Sequence, residues 1–142
     1  MNPASVKKPA APPIVLLAIP ALAEWVAVAR LAGAAVASRL QFSVDAIEDI
    51  KLAIAEACTN AILHEPGGTI ELTCEAHADR LIVTVRDHGT GPLLGSVEDE
   101  RITESGRTEE LGVFLIRALM DEVEYTIDPR SGTQLVMTKH VG

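Results

Sequence analysis

The sequence predicts an α+β fold: a two-layer sandwich in which helices cover one face of a mixed, mostly antiparallel sheet. Three observations predict it. Apolar residues recur at helical spacing between Asp45 and His64. Residues 70–76 and 81–85 alternate with a period of two, the mark of a half-buried hairpin. Short strand-forming runs at 14–19, 123–127 and 133–140 complete an order β-α-α-β-β-lid-α-β-β, and helices grouped on one side of such a sheet satisfy the layer rule. With 142 residues the chain is expected to make one domain around one substantial core. That domain is placed at residues 14–142, behind a Pro-rich flexible tail at 1–13.

Each element has its own warrant. The first strand, 14–19, is a β-branched and leucine run stopped by Pro20. Residues 21–40 follow as a helix whose Trp25, Val28, Leu31, Ala35 and Val36 give an apolar face. Gly33 weakens its middle by up to about 1 kcal/mol relative to Ala. After a connector at 41–44, Asp45 with Glu48 forms a capping box that starts the second helix. Ile47, Ile50, Ile54, Ala57 and Ala61 make its apolar stripe, and Glu65-Pro66-Gly67-Gly68 breaks the chain just beyond His64. In the hairpin, Ile70, Leu72, Cys74 and Ala76 alternate with Glu71, Thr73 and Glu75; Leu81, Val83 and Val85 alternate with Ile82 and Thr84. Residues 92–110 lack a clear period and are rich in Glu and Asp, so a lid is expected there. A helix at 111–121 carries Leu111, Phe114, Leu115, Ala118 and Leu119. Val123, Tyr125 and Ile127 then form a strand, and 133–140 the last one.

Composition narrows the function classes. A net charge of −8 disfavours a nucleic-acid surface and suits a regulator, or a chain that meets a basic partner. Residues 14–37 are apolar enough to raise a membrane question, but Pro20, Glu24 and Arg30 interrupt them and no piece is long enough to span a bilayer. No cleavable secretory signal is legible, so a cytoplasmic protein with reduced thiols at Cys58 and Cys74 is expected. Neither cysteine has a partner at zinc-ligand spacing.

The residues that carry chemistry cluster in two places. On the second helix, Asp49, Glu56 and Asn60 fall within about 40° of one another, opposite the apolar stripe. Two readings of that face stand on the helix alone: a solvated surface, or a site. Thr59 and Asn60 sit mid-helix, where neither is favoured and Lys or Gln would serve a wet surface better. Further on, Asp87-x-Gly89-x-Gly91 comes directly off a strand. An ionised carboxylate accepts hydrogen bonds and cannot donate, which suits the exocyclic amine of adenine. The glycines allow close backbone approach to a nucleotide.

Glu56-Ala-Cys-Thr-Asn60-Ala-Ile-Leu-His64 resembles the N-box of the GHKL (Bergerat-type) ATPase superfamily, and is most similar to the bacterial anti-sigma factor serine kinases of sporulation and general stress. Asp87-x-Gly89-x-Gly91 resembles the G1 box, whose Asp binds the adenine amino group. Leu111-Gly112 and the residues to Glu124 look like the helix after the G2 box, which carries phosphates at its N-terminus. Ser131-Gly132-Thr133 is similar to the closing strand, whose Thr reaches the adenine through water. The resemblance spans about residues 14–140 and implies ATP and Mg²⁺ as cofactors. It makes Glu56 the base that deprotonates a serine hydroxyl, and Asn60 the amide ligand of Mg²⁺. Asp87, Gly89, Gly91, Gly112 and Thr133 would hold ATP, with Thr59 and Arg107 as further phosphate contacts. His64 matches the motif and is read as structural.

The resemblance further implies an anti-sigma factor that binds a sigma factor, phosphorylates a serine on a STAS-domain anti-anti-sigma protein, and pairs as a homodimer through its N-terminal strand and helix. Arg30 has two readings: a sigma-factor contact or a solvated helix-face arginine. One residue departs from the pattern. Glu110 stands where the G2 box has its first glycine, and a carboxylate about 5 Å from a phosphate charge is repelled by about 3 kcal/mol at an effective dielectric of about 20. That departure favours an alternative, a degenerate GHKL module that sequesters partners without kinase activity. A third reading, the catalytic domain of a split histidine kinase, has no use for a serine-activating Glu56.

Overall fold

A computed structural model describes residues 11–89, 100–128 and 130–142, with only the backbone course described for 100–109. Strand β1 (Ile14–Pro20) leads through a 3₁₀ turn (Ala23–Trp25) into helix α1 (Val26–Ala37) and helix α2 (Val44–His64). Strands β2 (Thr69–Ala76) and β3 (Arg80–Asp87) form the hairpin. Helix α3 (Glu100–Leu119) and strands β4 (Glu122–Asp128) and β5 (Gly132–His140) complete the fold. The sheet order is β1-β2-β3-β5-β4. Each neighbouring pair is antiparallel, so the sheet is fully rather than mostly antiparallel.

The period of two decides what lies between the layers. Ile70, Leu72 and Cys74 of β2, Leu81, Val83 and Val85 of β3, and Leu135 and Met137 of β5 are buried. They meet Ile50, Ile54, Ala57, Cys58 and Ala61 of α2, Ile116 of α3 and Met120 just beyond it in one core. The stripe expected on α2 is therefore its buried face, apart from Ile47, which is partly buried. Cys58 and Cys74 are free thiols inside this core, and burial pushes their pKa up to about 12 and about 11. Thiols so protonated are poor nucleophiles and serve as small packing groups.

Three expectations change. The cap of α2 is Ser43, whose hydroxyl accepts from the Ala46 N–H at 3.1 Å, and not Asp45. Asp45 falls in the first turn, where its charge still suits the helix dipole. Helix α3 begins at Glu100 rather than 111, so half of the expected lid is helical; its other half, 92–99, lies outside the described residues. Several of the larger apolar residues in and around α1 and α3 do not face the core, although Val36 of α1 and Ile116 of α3 do. Trp25, Val28, Leu31, Leu111 and Phe114 are exposed, while Ala29, Gly33 and Ala37 of α1 are buried.

Small residues let the helices approach closely. A methyl at Gly33 would run into Ile54 Cδ1 on α2. Gly33→Ala gains about 1 kcal/mol of helix propensity, but overpacking costs about 1–3 kcal/mol. The variant is expected to be less stable in urea unfolding. A rise in stability would show that α1 and α2 are not so closely packed.

Candidate functional site

The final two turns of α2, the end of β3, the start of β5 and the middle of α3 meet at one end of the sandwich. On α2, Glu56, Asn60 and His64 are spaced four residues apart and share a face. That face is not solvated. Asn60 is 3% exposed, and a Cβ built on Gly112 of α3 would stand 3.0 Å from Asn60 Oδ1 and 3.3 Å from Glu56 Oε2. Glycine at 112 is thus what lets the α3 backbone lie against the acid and the amide together.

Asp87, the last residue of β3, has the same parity as Leu81, Val83 and Val85, so it points toward the helices and is 3% exposed. The β3–β5 register sets Thr133 opposite it. Gly132 makes that register possible. Its φ of 104° is favourable for glycine, and a side chain there would collide with the Asp87 carbonyl oxygen and His88 Cα. Asp87 Oδ1 accepts from the Gly89 N–H at 2.8 Å, and Asp87 Oδ2 lies 2.9 Å from His64 Nδ1. His64 Nε2 is 3.3 Å from the Tyr125 hydroxyl on β4.

Ala57, Asn60, Ala61, His64, Val85, Asp87, Tyr125, Thr133 and Leu135 line a cavity of about 10 Å³, room for about one water. Among the described residues, Asn60 Nδ2 and Thr133 Oγ1 are buried with no hydrogen-bond partner. An unmet buried polar group costs about 1–3 kcal/mol, so two of them beside an acceptor carboxylate are what a polar ligand would satisfy. The arrangement offers a donor hydroxyl, an amide and an acceptor-only carboxylate around one small space, with a half-buried carboxylate, Glu56, next to the amide.

The structure thus brings Glu56, Asn60, Asp87, Gly89, Gly112 and Thr133 together. Thr59 is exposed, and its hydroxyl donates to the Ala55 carbonyl at 2.9 Å, so it stands apart from the cluster. Arg30 lies elsewhere, in a cleft between α1 and α2 lined by Glu48, Asp49, Lys51, Leu52 and Ala55, with its Nε buried and unpaired among the described residues. Gly91 is outside the described residues, and Arg107 is in the stretch described by backbone alone. Gly112 sits inside α3 and not at an exposed helix start, so the peptide N–H groups around it belong to the helix ladder. The expected phosphate-binding N-terminus at 111–112 is therefore not formed in this arrangement. Glu110, just before it, is exposed.

Two residues of the cluster were not placed in the site from sequence. The motif marks His64 only as structural, and the alternation marks Tyr125 only as a strand residue. The spacing of Glu56, Asn60 and His64 was the available signal for the first. Nothing local marks Tyr125, which arrives through the β4–β5 pairing.

Comparison with known proteins returns a consistent picture. The histidine kinase-like ATPase domain family matches residues 19–139. The serine-protein kinase RsbW of Halalkalibacterium halodurans is 40% identical over 141 residues, covering 90% of this chain and 83% of the relative. The serine-protein kinase RsbW of Bacillus cereus (strain Q1) is 39% identical over 137 residues, covering 87% and 82%. That of Listeria innocua is 38% identical over 138 residues, covering 89% and 87%.

Proposed function

The chain belongs to the histidine kinase-like ATPase family, and from that premise we propose that it is an anti-sigma factor that phosphorylates a serine on a STAS-domain anti-anti-sigma protein. It is a serine/threonine protein kinase of the RsbW type that binds ATP. The observation that carries the finer reading is the meeting of Glu56 and Asn60, from one face of α2, with Asp87 and Thr133 at the sheet end.

The residues present fit an adenine nucleotide. Asp87 accepts from the exocyclic amine, and the unpaired Thr133 hydroxyl serves the base directly or through a water. Gly89 packs against His64 behind the base, Gly112 keeps side-chain bulk away from Asn60 and Glu56, and Gly91 is proposed as a further nucleotide contact. A cavity sized for about one water means that the base enters with a side-chain shift at the rim. Asn60 would hold Mg²⁺ through its amide oxygen, the hard ligand that ion takes, together with phosphate oxygens; the ion supplies charge neutralisation at the transferring phosphoryl group. Thr59 and Arg107 are proposed as phosphate contacts of the nucleotide-loaded form.

Glu56 acts on the acceptor. Its carboxylate takes the proton of the serine hydroxyl as that oxygen bonds to the γ-phosphorus and the bond to ADP breaks. A positioned base contributes about 10²–10⁴-fold, and orientation of the two reactants supplies most of the remainder.

Two surfaces support the partner assignments. Arg30 lies on a polar cleft away from the nucleotide cluster and is proposed as the sigma-factor contact. Ile14, Val15 and Leu16 are exposed on β1, a sheet edge, and Val28 and Leu31 are exposed on α1. An apolar edge of this kind is a template for pairing, and we assign it to a homodimer interface. Leu16→Lys is expected to convert a dimer to a monomer in sedimentation equilibrium; an unchanged mass would place any dimer contact elsewhere. Among the described residues no helix is long and apolar enough to cross a membrane, and a cytoplasmic location is proposed. Residues 14–142 are proposed as one domain, with 1–13 as its tail.

The test is phosphate incorporation. With labelled MgATP and a STAS-domain partner, label is expected on a partner serine. Tight partner binding without incorporation would support the sequestering module that Glu110 favours. Label on a histidine would support the split histidine kinase.

A further inference from the structure

We propose that Tyr125 and His64 form a directed chain of hydrogen bonds that positions the Asp87 carboxylate, and that this chain sets the preference for adenine over guanine. The inference rests on the reading of Asp87 as the base-recognising group.

The direction of the chain follows from its members. Asp87 offers only acceptors, so His64 Nδ1, 2.9 Å from Asp87 Oδ2, carries the proton. A neutral imidazole protonated at Nδ1 is an acceptor at Nε2. The Tyr125 hydroxyl, 3.3 Å away, is then the donor to it. On the other side, the Gly89 N–H donates to Asp87 Oδ1 at 2.8 Å. Both carboxylate oxygens are thereby pinned by the protein, and the plane of the group cannot turn.

The lone pairs that remain can receive only a further donor. The 6-amine of adenine is one; the 6-carbonyl of guanine is an acceptor and would face an acceptor. Discrimination of this kind requires a buried, immobile group, because a carboxylate free to rotate could take a water between itself and the wrong base. Here the His64 and Asp87 side chains are 1% and 5% exposed.

A second observation points to the same joint. A Cβ on Gly89 would stand 2.5 Å from His64 Cβ and 2.8 Å from its backbone carbon and oxygen. The first glycine after Asp87 is thus required by His64 itself. Residue 89 locates the histidine backbone, and the ring locates the carboxylate.

The experiment compares equilibrium binding of MgATP and MgGTP to the full chain, by calorimetry, with thermal melts as a fold control. In His64→Ala, ATP affinity is expected to fall about tenfold, the scale of one hydrogen bond to a charged group, and the ATP-to-GTP ratio to fall with it. His64→Asn places an amide N–H near the lost Nδ1 and should recover most of that ratio. Tyr125→Phe keeps the ring and removes the donor, and should lower the ratio about threefold. A merely structural role would weaken both nucleotides equally, with Asn no better than Ala at position 64. Should His64→Ala fail to fold, Tyr125→Phe decides alone. If the unmodified chain does not prefer ATP over GTP, the reading of Asp87 falls and takes the chain of bonds with it. If the unmodified chain prefers ATP and folded Tyr125→Phe and His64→Asn leave the ratio where Ala puts it or where it began, the positioning role alone is overturned.

Discussion

Glu56→Gln is expected to lower the rate of serine phosphorylation by about 10²–10⁴-fold while leaving nucleotide affinity and melting behaviour near those of the unmodified chain. The substitution keeps shape and removes one capability. Glu56 is half-buried, close to where Gly112 of α3 passes, and an amide of the same size fills the same space. What it cannot do is take a proton. The remaining rate comes from holding the acceptor and the phosphoryl group together, which Gln does not disturb. Single-turnover transfer with saturating ATP isolates the step. A rate within a few-fold of normal would remove Glu56 from the role of base and leave it a helix-face acid.

Asp87→Asn should have its largest effect earlier, on binding. Asp87 is buried and receives donors from the Gly89 N–H and from His64. An amide has one acceptor and one donor end, so either one of those donors faces an N–H group or the His64 proton moves to Nε2 and the Tyr125 bond reverses. In the first case the cost in stability is about 1–3 kcal/mol, the price of one unmet buried donor. The same amide offers the adenine amine a donor where it needs an acceptor, and ATP affinity is expected to drop by about 100-fold or more. Titration calorimetry with urea unfolding separates the two losses. Unchanged ATP affinity in a destabilised variant would mean that Asp87 is a structural anchor only.

Much of this arrangement could be read from the chain, and the parts that could not share a cause. The α2 stripe and the β2–β3 alternation depend on local period, which folding preserves, and Ile50, Ile54, Val83 and Val85 are buried as that period requires. Asp87 was legible because a strand of alternating residues ends on it with inward parity. The buried face of α1 was not legible, because Ala29, Gly33 and Ala37 are selected by how near α2 must come, while hydrophobicity pointed to Trp25 and Leu31. For the same reason the close approach of Gly112 to Glu56 and Asn60 was not legible. Ser43 displaced Asp45 as cap since its hydroxyl, two residues earlier, accepts from the Ala46 N–H, a single cap bond with no Glu or Gln at 46 to complete a box. The contact of Tyr125 with His64 depends on strand pairing between residues far apart in sequence, and no local rule anticipates it.

The central claim is that α2 and the end of β3 hold opposite ends of one nucleotide. A crystal structure with a non-hydrolysable ATP analogue and Mg²⁺ tests it most directly. The account predicts the purine amine at the Asp87 carboxylate, the ion on the Asn60 amide oxygen, and Glu56 facing the γ-phosphoryl group. A nucleotide bound away from Asp87, or an ion held without Asn60, would contradict it.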